Sequence, residues 1–531
     1  MKLPSSIFCG VAIFVYPIAA TKYNEYILAP THRAVTPPIL NAVYGPVENP
    51  DALLTDVHNS NGVVFGPNSS ITLNFGSRFR HQHRWYSRLQ SQWGICPYQC
   101  DSASSALYDS PLWFKVPTKG QYTAEKKRQR GGFRYMSIWH NGTGSVTVRD
   151  LHVNFTASPE VEDLRDYPGY INSDSEKLNR VWYAGAYTNQ LCSMDPAYGN
   201  ALGIPSTDWY YNATVGHGTS VLIDGAKRDR LVWPGDIAIS GPSIFVSTNS
   251  LDGIRNGIDS LFALQAPDGR LPWAGTPFTS QDNFPFSFTY HLYTLLDLYY
   301  YHLYSGDLAY LQSYWSQYNV VEMWTIAMDG IKNAINEHLW DSTQNLFFDN
   351  DINKTKSSLR PQDGNSWAVI AGVVDRERAK YISTSLAGRW VRPYGAPAPE
   401  AGATISPFAS GFEVQAHFLS GNPERAMELI EFMWADFMLD DPRLTNSSFI
   451  EGYSTNGDLH YAPYDNDARV SHAHGWATGP TSALTFFAAG LQLTSAVGKT
   501  WLVQPGLGSL RRVTAGFETS MGEFSASWSK D

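Results

Sequence analysis

The chain has 531 residues, 39 basic against 49 acidic ones for a formal charge of −10, and an aromatic fraction of 14%. At about 150 residues per domain that length leaves room for three or four units around a large core. The acidic balance argues against a nucleic-acid surface, because the one basic cluster, Lys126 to Arg130, is short and set among turn residues; the surplus of Tyr and Trp instead supplies flat apolar faces with polar edges, which sugars match.

Taken in chain order, Lys2 and the apolar run from Ile7 to Ala20 read as a signal peptide over residues 1–20, ending in small residues at Ala19 and Ala20. Pro17 breaks the run, and it falls short of the about 20 residues that a membrane helix needs. The mature chain is therefore expected to be secreted and extracellular, with no membrane attachment after cleavage. The sequons at Asn68, Asn141, Asn154, Asn212, Asn353 and Asn446 are then expected to carry glycans wherever they lie on exposed loops. In an oxidising compartment Cys96 and Cys100 are expected to pair, since no nearby Cys or His completes a metal site around them. Cys192 is left over as a buried apolar side chain at the end of a helix.

Residues 21–168 carry short alternating runs, such as Ser70 to Phe75 and Ser145 to Arg149, parted by Gly, Asn and Pro turns, and predict a β-sandwich. After Pro168 the pattern changes. Ser173 and Glu176 predict a capping box, with Leu178, Val181, Trp182 and Tyr183 at helical spacing behind it. Helices are predicted at roughly 173–192, 234–248, 251–266, 285–304, 307–340 (broken), 364–373, 375–389, 407–420, 423–438 and 478–493. So many consecutive helices suggest hairpins, and segments apolar nearly all round, such as Phe486 to Ala489, suit an inner ring enclosed by an outer one. The long loops between them, rich in Trp, Asp, Gly and Pro, place a functional site at one mouth. From about Thr500 the chain alternates again, through Trp501-Leu502-Val503 and Phe524 to Trp528, as a short C-terminal β-unit.

The densest polar cluster runs from Asp224 to Asp236 and holds three carboxylates, three basic residues and Trp233, just before a helix that Pro234 can start. Gly225, Trp233 and Gly235 do not suit a merely solvated loop. This run resembles the signature loop of the α-L-rhamnosidases, of secreted fungal type, in the six-hairpin glycosidase superfamily. Further stretches share the resemblance in the same order: Gly131 to Tyr135, Asn179 to Tyr187, Ser471 to Trp476, and Thr500 to Val503. The resemblance implies a mainly α fold, an (α/α)6 six-hairpin barrel over residues 169–497, with the N-terminal β-sandwich before it and the β-strand unit of residues 498–531 after it. It also implies an inverting glycoside hydrolase that removes terminal rhamnose, acting on a carbohydrate or glycoside substrate without a cofactor.

By position in the loop Asp229 is the general acid, where the family more often has Glu. Asp224, Arg228 and Asp236 then hold rhamnose hydroxyls and Trp233 lines the sugar subsite. Arg228 and Arg230 alone would oppose proton donation from Asp229, so burial or the charges of Asp224 and Asp236 must offset them. The base-bearing segment is matched by Phe449-Ile450-Glu451-Gly452-Tyr453, with Ile450 where the family commonly has Trp; Glu451 is the candidate base, and Glu413 and Glu400 compete with it. His472 and His474 face one way on an extended segment and suit sugar-hydroxyl contacts, a structural role, or a metal for which no third ligand is in the motif. Asp349 to Asn353 lacks the Gly and the closing Glu of a calcium loop. Nucleophile-elbow, phosphate-loop and dinucleotide signatures are absent from the sequence. Two other readings remain open at this level: another six-hairpin glycosidase or a lyase of uronic acids, which Arg228 and Arg230 would suit, and a carbohydrate-binding protein without catalysis, prompted by Asp229 and Ile450.

Overall fold

The early alternating runs lie in antiparallel strands in the computed structural model, which describes residues 22–55, 61–76, 112–128, 131–199, 212–227, 230–280, 284–315, 321–352, 355–464 and 467–530. The predicted leader, Cys96, Cys100, Asn353, Arg228 and Asp229 lie outside the described residues. Ile39–Tyr44, Ser69–Asn74 and Tyr135–His140 form one three-stranded sheet, and Val47–Glu48, Val63–Phe65 and Val146–Val148 form another. Val63 and Phe65 from one sheet bury with Ile71 and Leu73 from the other, so the alternation of each strand feeds one shared core. The guanidinium of Arg33 donates to the carbonyls of Phe155, Ala157, Ser158 and Val161, fastening the segment that leaves these sheets.

Helix α1 (Glu176–Leu191) opens the helical part. Its cap is Ser175, whose side chain accepts from the Leu178 N–H, so the predicted capping box of Ser173 and Glu176 is not formed. Ser173 is instead the last residue of the strand Tyr170–Ser173, paired with Val513, and its hydroxyl donates to Ser175 and Asn179. Pairing with a strand more than 300 residues away (Val513) overrides the local motif. There follow α2 (Pro234–Val246), α3 (Asp252–Phe262), α4 (Phe288–Ser305), α5 (Leu308–Trp315), α6 (Val321–Ala334), α7 (Gln362–Ile370), α8 (Arg376–Ala387), α9 (Pro407–Leu419), α10 (Pro423–Leu429) and α11 (Gly479–Ala483). The predicted 307–340 helix is divided between α5 and α6, and α10 and α11 run on as π-helical turns, Ile430–Leu439 and Leu484–Ala488.

Two kinds of helix are present. Every residue of α2 is buried, and so is nearly all of α9, as for helices enclosed on all sides. By contrast α8 buries Ala379, Ile382, Ser383 and Leu386, the i, i+3, i+4, i+7 stripe of a helix with one wet face. Helix contacts run in chain order: α1 against α2, α2 against α4, α7 against α9, α9 against α11, and α11 back against α1. Between α4 and α7 the Trp367 indole donates to the Tyr293 hydroxyl. At the C-terminal ends of α2 and α4, Phe245 stacks on Tyr304 and meets Phe517 of the strand Arg512–Thr519, which pairs with both Gly522–Ser529 and Tyr170–Ser173. The chain's last strands thus cover one end of the helices and leave the other, where α2, α4 and α11 begin, for the loops.

A close inner contact is set by Gly185 of α1, where a Cβ would lie 2.0 Å from the Thr481 hydroxyl and 3.3 Å from the Phe449 ring. Gly185→Ala is expected to cost about 1–3 kcal/mol through overpacking, read as a lowered Tm, and Thr481→Ala in the same chain is expected to recover part of that loss.

Candidate active site

Three segments that are far apart in sequence lie side by side at the open end. The Ala226 N–H donates to the Ala473 carbonyl at 2.9 Å and the Gly475 N–H to the Asp224 carbonyl at 2.8 Å. On its other side the same segment takes His474 N–H to Phe449 carbonyl at 3.0 Å, and Glu451 N–H to Ser471 carbonyl at 2.8 Å. Ser471 to Gly475 is therefore the middle rung between the Asp224 loop and the Glu451 segment. Beneath it the thiol of Cys192 donates to the carbonyls of Asp224 and Ala473, both at 3.6 Å, and burial pushes this thiol well above its ordinary range. It is a buried neutral group, as expected from its place at a helix end.

The Asp224 loop closes on its own carboxylate. Oδ1 of Asp224 accepts from the backbone N–H groups of Arg230 at 3.0 Å and Leu231 at 3.2 Å. Arg230 sits at φ 63°, a left-handed conformation that costs a bulky residue of order 1–3 kcal/mol, and these bonds hold it there. Three residues on, Trp233 is the N-cap of α2, Pro234 opens the helix, and Asp236 lies in its first turn, near the positive end of the helix dipole. Gly235 lets the helix start against the Tyr290 ring, which a Cβ would meet at 3.1 Å.

The side chains converge on His474. Its Nε2 is 3.1 Å from Oδ1 of Asp236 and its Nδ1 is 3.9 Å from Oε2 of Glu451, with all three groups only 3% exposed. Glu451 is held at both oxygens, by the Tyr464 hydroxyl at Oε1 and by the Ser471 N–H at Oε2, 2.8 Å away, while the Trp476 indole donates to its carbonyl at 2.8 Å. Burial pushes Asp224 up to about 6, with His474 pulling the other way and the charge of Asp236 adding to the rise. Burial likewise holds Asp236 well above the usual carboxylate range, against a hydrogen bond from the Trp476 N–H. Carboxyl groups in this state can both donate and accept, which suits a ring of sugar hydroxyls. Trp233 forms one wall, edge-to-face with Trp273 at 5.8 Å and Tyr290 at 6.1 Å.

Of the residues named from sequence, the structure gathers Asp224, Asp236, Glu451 and His474, with Trp233 beside them. His472 lies near Lys227, whose charge adds to burial in holding its imidazole well below the ordinary range; its carbonyl accepts from Ser448. The two rival glutamates have other partners. Glu413 takes Gln362 and Trp390 at 2.6 Å each and His417 at 3.2 Å, in a closed polar knot between α7 and α9. Glu400 accepts the Gln362 and Asp363 N–H groups and so caps α7, and burial with the charge of Asp363 raises it to about 7. Tyr464, Tyr290, Tyr461 and Trp273 were not marked by sequence; the local run Tyr461 to Tyr464 gives no sign of its partner. Among the described residues no group of three His, Cys, Asp or Glu side chains is disposed to hold a metal ion.

A family model described as Trehalase matches residues 296–401, which contain none of the four gathered residues. Sequence comparison with curated proteins returns no match. In structure the chain is similar to a rhamnosidase from Klebsiella oxytoca solved with rhamnose bound, with a TM-score of 0.58 at 15% identity over 87% of this chain and 96% of that one. It is also similar to the GH78 family rhamnosidase of Bacillus sp. GL1 (TM-score 0.55, 14% identity, 75% of this chain and 44% of that one). The α-L-rhamnosidase from Aspergillus terreus gives 0.51 at 12% identity over 75% and 49%. The chain thus spans less than half the length of the Bacillus and Aspergillus proteins and nearly all of the Klebsiella one. The fold is similar to that of these rhamnosidases. This likeness of fold agrees with the resemblance to the α-L-rhamnosidases.

A carboxyl raised in the native state stabilises the fold below its unfolded value, and that contribution is lost as pH rises through about 6 for Asp224. Asp224→Asn keeps an acceptor for Arg230 and Leu231 but cannot ionise. Thermal melts are expected to show the variant more stable than the parent at about pH 8, with the advantage gone near pH 4.

Proposed function

We propose that the protein is a secreted glycoside hydrolase that removes terminal α-L-rhamnose from plant glycosides or polysaccharides with inversion, its inner helices closing as an (α/α)6 barrel. In this reading the β-sandwich of residues 21–168 and the strand unit of residues 498–531 flank that barrel. The observation that carries the activity is the meeting of Asp236, His474 and Glu451 around one buried point, with Asp224 on the neighbouring strand-like segment. Contacts around the ring from α1 to α11 and back support the barrel.

Glu451 acts as the base that activates water, and Asp229 as the acid that protonates the leaving oxygen; Asp224, Arg228, Asp236, His472 and His474 bind rhamnose hydroxyls, and Trp233 lines the subsite. An inverting pair stands about 6.5–9.5 Å apart to admit the water, and the two candidates come from segments far apart in the sequence. The Trehalase match makes α-glucosides the competing substrate class.

The direct test is turnover of an aryl α-L-rhamnoside beside aryl α-glucosides, trehalose and aryl uronides; only the first is expected to react, and proton NMR before mutarotation is expected to show β-rhamnose first. Glu451→Gln is expected to lose roughly 10²–10⁴ in kcat whatever the leaving group, whereas Asp229→Asn recovers with a nitrophenyl leaving group. First-formed α-rhamnose, or an active Glu451→Gln, would refute the mechanism.

Secretion has its own readout. Asn68, Asn141, Asn154 and Asn212 are exposed and Asn446 is half-buried. Deglycosylation followed by peptide mapping of the secreted protein is expected to find glycans at the first four, a mature N-terminus after Ala19 or Ala20, and Cys96 bonded to Cys100; free thiols at both cysteines would exclude that bond.

A further inference from the structure

The reading of Glu451 as the base leaves open what fixes its carboxylate, since a base must present a lone pair in one direction to the attacking water. Two donors do so here. The Ser471 N–H occupies Oε2 and is fixed by the backbone ladder, and the Tyr464 hydroxyl occupies Oε1 from the 460s loop. That loop is built to aim the phenol: the Arg469 guanidinium lies 4.8 Å over the Tyr464 ring, Tyr461 meets the ring edge-on at 5.4 Å, and His460 reaches Asp467 at 2.7 Å across the loop. A cation on the ring face makes a phenol a better hydrogen-bond donor, and a hydrogen bond given to a carboxylate favours its ionised form.

From this geometry we infer that Tyr464 is the positioning residue of the candidate base: it orients the Glu451 carboxylate and keeps it ionised in acidic medium, so that the lower edge of the working pH range is set from this loop. The inference rests on Glu451 being the base. Among the described residues, the other titratable groups in contact or charge interaction with Glu451 include His474, with Asp236 behind it, and Tyr461, none of which is seen to donate to Oε1. Removing the Tyr464 hydroxyl therefore leaves that oxygen with one donor fewer.

The experiment compares Tyr464→Phe with the parent, full chain, on an aryl α-L-rhamnoside, and includes Glu451→Gln. Tyr464→Phe is expected to lower kcat about 10- to 100-fold with KM within about threefold, and to move the acidic limb of the kcat/KM profile to higher pH by about one unit, with Tm near the parent value. A merely structural side chain would lower activity without moving that limb. Tyr464→Phe with an unmoved limb beside an inactive Glu451→Gln overturns this inference alone; an active Glu451→Gln overturns it together with the assignment of the base.

Discussion

The constraint on which the site depends is the backbone pairing of Ser471 to Gly475 with two partners at once. Neither the Asp224 loop nor the Glu451 segment belongs to a long element, and each is held in place by two N–H to carbonyl bonds to this one middle rung. A peptide segment this short has no stability alone. It persists because its backbone carbonyls at Ser471 and Ala473 and its N–H groups at Ser471, His474 and Gly475 are met by the two neighbouring segments and by the Cys192 thiol, in a place where an unmet group costs about 1–3 kcal/mol. The side chain of His474 then points from the rung to both carboxylates.

Burying so many acids in one place opposes folding, and the fold compensates in specific ways. Asp236 stands at the start of α2, where the helix dipole favours negative charge, and Asp224 accepts two N–H groups of its own loop. Asp297 of α4 is buried with no hydrogen-bond partner at either oxygen among the described residues, and burial together with the charge of Asp236 pushes its carboxyl well above the usual carboxylate range. The apolar enclosure of α2 and α9 makes these groups expensive and, for the same reason, gives the site its low dielectric. Strain at Arg230 belongs to the same account: the loop accepts an unfavourable backbone because Asp224 binds the N–H that this conformation presents.

Polar networks elsewhere among the helices show how the competing glutamates differ. Glu413 is bonded to Gln362, Trp390 and His417, and the far side of that histidine is tied to Ser383 of α8, so the knot joins three helices. Glu400 is bound to the first N–H groups of α7, the work of a helix cap. Glu451 differs in having His474 beside it at a distance longer than a hydrogen bond, and aromatic rings rather than a helix end around it.

The sequence by itself determined the elements: the 3.6-residue spacing after Pro168 marks nearly every helix within a few residues, because an amphipathic or fully buried stripe is a local property. It also singled out Asp224, Trp233, Asp236, Glu451 and His474, since their dense or unusual local setting resembles a known loop. It could not tell that Ser173 ends a strand, because the partner, Val513, is remote, nor what Glu451, Glu413 and Glu400 are each bonded to, because a carboxylate's donors come from other segments. Tyr464 was hidden for that reason too: a tyrosine in a polar loop looks like any other until the fold carries Glu451 to it. What only the tertiary structure decided is which of the buried acids are spent on holding helices together and which remain around His474, since hydrogen-bond satisfaction is settled by side chains that meet in space and not by their order in the chain.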